Sequence, residues 1–291
     1  MSKVELILDA KAKLGEGAIW HSQKQLFYWV DIEGQFVHIY DPKTNQDRAI
    51  HVGQKVGTVV PRKSGGLMVA LHHGFAALDP ETEKLTFLND PESHLPENRF
   101  NDGKCDPMGR FWAGTMSLSF AKGAGSLYCL FPDLTARRMA EGLTISNGIV
   151  WSLDLKTMYL VDSGDATVWA FDYDLVTGSV ENKRAFLQMP KEHGTPDGMT
   201  MDVEGKLWIA HWDGARVTRW DPATGKLLFT QPIPASLVTS CALGGPSLDQ
   251  LYVTTARAHL DEKTLAGQPQ AGGVFKFNPG VRGLPAPEFA G

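Results

Sequence analysis

Four pairs share one design, an oxygen-bearing side chain, then glycine, then a short apolar strand: Glu16-Gly17, Asp102-Gly103, Asn147-Gly148 and Asp197-Gly198. Carboxylates and an amide carbonyl are hard donors. Gathered at one point, they suit a divalent cation that keeps positions open for water. A cation beside a carboxylate is the equipment for water-dependent opening of an activated ester, in which the metal polarises the carbonyl and the carboxylate manages the proton. Asn101 adjoins Asp102, and Arg99 stands one strand alternation from Asn101, with a forked guanidinium suited to an oxygen-rich substrate. Taken singly, each polar-glycine pair reads better as a turn than as a ligand. The ligand reading comes from spacing.

Val56-Gly57 and Ser240-Cys241 occupy the analogous place in two further segments. From Glu16 through Val56, Asp102, Asn147 and Asp197 to Ser240, the steps are 40, 46, 45, 50 and 43 residues. A step of about 40 to 50 residues is the period of four-stranded propeller blades. Between the markers lie short clusters rich in β-branched and aromatic residues, such as QLFYWV at 25–30, GLMVAL at 66–71, TMYLV at 157–161 and GKLWIA at 205–210. Turn signals punctuate them, among them Asp41-Pro42, Asp79-Pro80 and Asp221-Pro222. No stretch sustains a helical period, and no linker divides the chain.

The expected fold is all-β: a six-bladed β-propeller formed by residues 1–291 as one domain. The strand-like run from Val4 to Leu8 precedes the first repeat and is expected to complete the last blade. If each blade begins with its innermost strand, Glu16, Asn147 and Asp197 present their oxygens to one central channel, with Asn101 and Asp102 nearby.

Composition narrows the partners. With 291 residues, 43% hydrophobic and 21% charged, the chain is ordinary globular protein. A net charge of −5, with no basic run carrying interleaved aromatics, argues against nucleic acid or an anionic membrane as partner. No stretch approaches the roughly 18 apolar residues of a membrane span. Three scattered cysteines and the lack of a secretory leader lead us to expect a reducing cytoplasm.

Several tempting residues read better as structure. His72, His73 and His211 lack zinc-type spacing. Ser146 and Ser240 lack a nucleophile elbow. Cys105 and Cys241 fall where small residues pack the ring. Trp112, Trp208 and Trp220 fall inside strand clusters, whereas Phe120 and Trp212 follow strands and are candidates for a pocket wall.

The combined motifs resemble the regucalcin (senescence marker protein)/gluconolactonase family: LGEGAIW at 14–20, RFNDGKCDPMGR at 99–110, AGTM at 113–116, ISNG at 145–148 and PDG at 196–198. GKLWIA at 205–210 and AGGVF at 271–275 add to the match, which runs in order along nearly the whole chain. The resemblance implies a six-bladed propeller, one divalent cation in the channel and hydrolysis of sugar lactones. It makes Glu16, Asn147 and Asp197 the metal ligands, with Asp197 also the proton-handling carboxylate, and Arg99 and Asn101 the substrate-binding pair, followed in the same loop by Asp102. One position departs from the family pattern: Ser119 stands where an acidic residue touching the sugar hydroxyls is expected. The substrate expectation is an aldonic acid lactone of the glucono-, galactono-, xylono- or arabinono- type. The cation is Ca, Zn, Mg, Mn or Fe(II), and the protein a monomer or weak homodimer. The rival readings are hydrolysis of an aryl ester or phosphotriester, and a non-catalytic calcium-binding propeller.

Overall fold

The computed structural model describes residues 3–291. Six four-stranded antiparallel sheets follow one another around a ring. Blade 1 comprises Gly15–His21, Leu26–Asp31, Phe36–Asp41 and Gln46–His51. Blades 2, 3, 4 and 5 repeat that order, beginning at Val56–Pro61, Asn98–Cys105, Ser146–Trp151 and Thr195–Met201. Blade 6 is built from both ends of the chain: Leu237–Gly244, Gln250–Ala256 and Val274–Phe277 pair in sequence, and Glu5–Leu8 adds the outermost strand. The ring closes as the run from Val4 to Leu8 led us to expect.

The first strand of each blade is buried almost throughout, as in GEGAIWH of blade 1 and SNGIVW of blade 4. Strands covered on both faces lose the polar-apolar alternation, and the polar side chains they carry, Glu16 and Asn147 among them, are buried with the rest. The fourth strands do the opposite. Val180–Gln188 (VENKRAFLQ) and Ala136–Leu143 (ARRMAEGL) are largely exposed and charged, which protects an unpaired sheet edge from joining another chain. The cluster pattern of the sequence missed these outer strands because they have almost no apolar face.

The core lies between neighbouring blades. Phe75 of blade 2 meets Phe100 of blade 3 with ring centroids 4.6 Å apart. Trp112, Trp208 and Trp220 are buried between sheets as expected. The one α-helix among the described residues is the short turn Glu262–Gly267, capped by Asp261, whose carboxylate accepts from Thr264 N at 2.7 Å. No helix is long and apolar enough to cross a membrane.

One irregularity recurs in all six blades. The register between first and second strands breaks between Glu16 and Ile19, Val56 and Thr58, Phe100 and Gly103, Ser146 and Ile149, Pro196 and Met199, and Val238 and Ser240. These are bulges at one repeat phase, and each falls on or beside a marker residue. A bulge adds a residue, kinks the strand and re-aims its side chain. In four blades it falls at a buried polar residue: Glu16, Asp102, Asn147 and Asp197.

Candidate active site

Two glycines show why the polar residues are followed by so little side chain. A Cβ on Gly148 would lie 2.4 Å from Met199 N in blade 5, and one on Gly198 would lie 2.7 Å from Ser240 Cα in blade 6. Successive inner strands approach so closely at the bulge that neither site has room for a methyl group. That approach brings the side chains of Asn147 and Asp197 together.

Carboxylates behind the strands hold their starts in place. Asp162, fully buried, accepts from Thr144 N and Ile145 N, both at 2.9 Å, immediately before Ser146–Trp151. Asp31 accepts from Lys13 N at 2.9 Å and Leu14 N at 3.0 Å, immediately before Gly15–His21. Each hydrogen bond to a charged acceptor contributes about 1.5–3 kcal/mol. The two strands braced in this way carry Asn147 and Glu16.

At the axis, Glu16, Asp102, Asn147 and Asp197 are all buried. The Asp197 carboxylate faces both the Asn147 amide and the Glu16 carboxyl, and Glu16 in turn feels the charges of Asp197 and Asp102. Burial, then the charges of Asp197 and Asp102, holds the Glu16 carboxyl well above the usual carboxylate range; burial, then the Asp102 charge, raises Asp197 likewise, against hydrogen bonds from Asn147 and Glu16. Burial raises Asp102 as well, against the pull of Lys104 and a 2.7 Å hydrogen bond from Gly103 N.

Three oxygens here have no hydrogen-bond donor: Asp102 Oδ2, Asn147 Oδ1 and Asp197 Oδ1. An orphaned buried acceptor is costly, and one axis holding several needs a reason. A hard divalent cation fits this acceptor-rich set. No three His, Cys, Asp or Glu side chains cluster as a metal set among the described residues; the Asn147 amide oxygen is a further acceptor beside the carboxylates.

Arg99 is buried and donates from Nη1 to Asn101 Oδ1 at 2.7 Å and to Phe100 O at 3.0 Å. Asn101 donates in turn to Ser146 O at 2.8 Å. No carboxylate lies within ion-pair distance of Arg99 among the described residues, and burial lowers its pKa to about 10 against the pull of Glu33, Glu16 and Asp197. Ser119 is exposed, and its hydroxyl lies 2.9 Å from Ser117 Oγ. Because Asn98 pairs with Ser117 and Arg99 with Met116, Ser119 sits above the Arg99 end of blade 3. Phe120 follows it, 59% exposed with φ of 57°. Trp212 pairs with Thr195, and so ends its strand on the same face of the ring.

The remaining residues behave as structure. His211 is buried, bonded through Nε2 to Thr218 Oγ1 at 2.6 Å, and burial lowers its pKa to about 3. The three cysteines are free and buried. A hollow of about 500 Å³ opens at the other end of the channel, walled by Trp20, Ile149, Trp151, Met201, Leu243 and Leu284. It is mainly apolar and holds none of Glu16, Arg99, Asn101, Asp102, Asn147 or Asp197, although Lys104 and Cys105 line it.

Two contributors escaped the sequence reading. Lys104 reaches Met199 O from within the channel. Ser163 contacts Asn147 and the carbonyl preceding Asp197. Its position, directly after the bracing Asp162, is the only local signal.

A model of the SMP-30/gluconolactonase/LRE-like region matches residues 14–257. The chain belongs to this family. It is 42% identical to regucalcin of Xenopus laevis over 295 residues, covering 99% of both proteins. Its structure resembles that of a luciferin-regenerating enzyme with a TM-score of 0.94 and 34% identity, covering all of both chains. It resembles equally a calcium-binding protein, regucalcin, from Agrobacterium tumefaciens, with a TM-score of 0.94, 27% identity, and coverage of 99% of this chain and 97% of that one. The family members share the propeller expected from the repeat.

Proposed function

We propose that this chain is a divalent-cation-dependent hydrolase that opens an aldonic acid lactone of the glucono-, galactono-, xylono- or arabinono- type. The carrying observation is the convergence of orphaned oxygens from three blades, Asp102 Oδ2, Asn147 Oδ1 and Asp197 Oδ1, beside the Glu16 carboxyl. Membership of a family named for gluconolactonase supports the reaction class. The calcium-binding description of the Agrobacterium relative supports a cation.

Glu16, Asn147 and Asp197 would hold the cation, which when bound supplies a Lewis acid for the lactone carbonyl. Water adds to the carbonyl carbon, the ring C–O bond breaks, and the ring oxygen leaves as the hydroxyl of the open-chain hydroxy acid. Asp197 takes the proton from the attacking water and returns it to the departing ring oxygen. Arg99 and Asn101, already joined to each other, orient the hydroxylated ring. Asp102 adds an acceptor on the same wall, and Ser119 contributes a neutral hydroxyl at the rim.

Initial rates of opening for a panel of aldonic lactones, aryl esters and phosphotriesters, with and without chelator, test the proposal. The expected result is lactone opening that chelator abolishes and added cation restores. Preference for an aryl ester or phosphotriester would replace the substrate class. No chelator-sensitive activity would leave a binding propeller.

A further inference from the structure

An asparagine serves a cation only through its oxygen, so something must decide which end of the Asn147 amide faces the channel. Asn147 Nδ2 donates to Ser163 Oγ at 3.1 Å, and Ser163 Oγ donates to Pro196 O at 2.7 Å. A serine hydroxyl has one proton. With that proton committed to a carbonyl, Ser163 offers Asn147 only lone pairs. The amide NH2 fits that side, and the carbonyl Oδ1 is left facing the axis without a donor. The reversed amide would set two acceptors, Asn147 Oδ1 and Ser163 Oγ, against each other.

The serine is itself held firmly. It opens the single turn Ser163–Asp165, capped by Asp162, whose Oδ1 accepts from Gly164 N at 3.2 Å. Its own N–H donates to Ile145 O at 3.0 Å, just before the strand that carries Asn147. Pro196 directly precedes Asp197, so one hydroxyl ties the side chain of one ligand to the backbone beside the next, across two blades.

We propose that Ser163 is a positioning residue that fixes the amide orientation of Asn147 and thereby sets the affinity of the axial cation site. This rests on the reading of Glu16, Asn147 and Asp197 as that site. Removing such an outer partner typically lowers metal affinity about 10- to 100-fold.

The test is isothermal titration of the purified chain with calcium or manganese chloride, comparing wild type with Ser163→Ala in the native and Asn147→Asp backgrounds. A carboxylate presents oxygen whichever way it turns. Ser163→Ala should therefore raise Kd about 10- to 100-fold beside Asn147 and leave it nearly unchanged beside Asn147→Asp. Equal losses in both backgrounds would show a general structural role and overturn the proposal, as would no loss in either. Ser163→Thr and Ser163→Val differ in the hydroxyl alone and carry the same comparison if the alanine variant does not fold. Wild-type protein that binds no divalent cation would instead remove the underlying site, a result separable from equal binding by wild type and Ser163→Ala.

Discussion

The Arg99 guanidinium donates to the side-chain oxygen of Asn101 at 2.7 Å. Asn101 extends the connection across a blade boundary by donating from its amide nitrogen to Ser146 O at 2.8 Å. Arginine and asparagine therefore form one unit anchored to the strand that carries Asn147. Removing either partner should disturb the other. Arg99→Ala, Asn101→Ala and the double variant should be non-additive in kcat/KM for lactone by about 0.5–3 kcal/mol, the range for residues in one network. Additive losses would show two independent contacts.

Asp197 is the second test. Asp197→Asn keeps its size and removes both the negative charge and the proton acceptor. Turnover should fall about 10²- to 10⁴-fold, the range for loss of a general base. The circular dichroism spectrum should remain that of the wild type. Wild-type kcat would remove Asp197 from proton transfer.

The raised carboxyls give a pH dependence with a definite sign. In the metal-free native state, Glu16 and Asp197 hold protons that the unfolded chain has already released. Their contribution to stability is thus present below the ordinary carboxyl range, near about pH 4, and is lost as pH rises through the raised values. A cation replaces those protons, so its binding strengthens with pH. The calcium-induced increase in Tm should be larger at about pH 8 than at about pH 5. An increment that shrinks with rising pH would contradict this electrostatic account.

Gly148→Ala probes the crowding that makes the site. Its Cβ would meet Met199 N at 2.4 Å, a backbone atom with no rotamer to yield. Strain of this kind costs about 1–3 kcal/mol. Tm should drop, and cation affinity should weaken, because Asn147 and Asp197 flank the displaced boundary. A variant with wild-type Tm and affinity would show that the strands do not need this approach.

The ring was legible in the sequence because a propeller repeats. One phase, recurring from Glu16 to Ser240, predicted the blades and put Glu16, Asp102, Asn147 and Asp197 at the same point of their inner strands, where all four are buried. The outer strands were not legible, since Val180–Gln188 has almost no buried face and so no apolar signature. The bulges were hidden too. Glycine hinted at close approach, but the register break between Pro196 and Met199 is a property of pairing, not of composition. Ser163 was missed because its role depends on a turn that folds it back onto a residue 16 positions earlier.

Ser119 tests substrate choice. Its hydroxyl is tied to Ser117 at the rim and carries no charge. Ser119→Glu should change the ratio of kcat/KM between two sugar lactones about 10-fold or less, and leave calcium affinity as it was. An unchanged ratio would place this position outside the sugar contact.

The most direct measurement is the cation content of purified protein after equilibrium dialysis against calcium or manganese, for wild type, Glu16→Gln and Asp197→Asn. The account requires about one bound cation per wild-type chain and a large loss in both variants, with folding retained. Wild-type protein that holds no cation, or variants that hold it as tightly, would contradict the claim that these oxygens converge on a single ion.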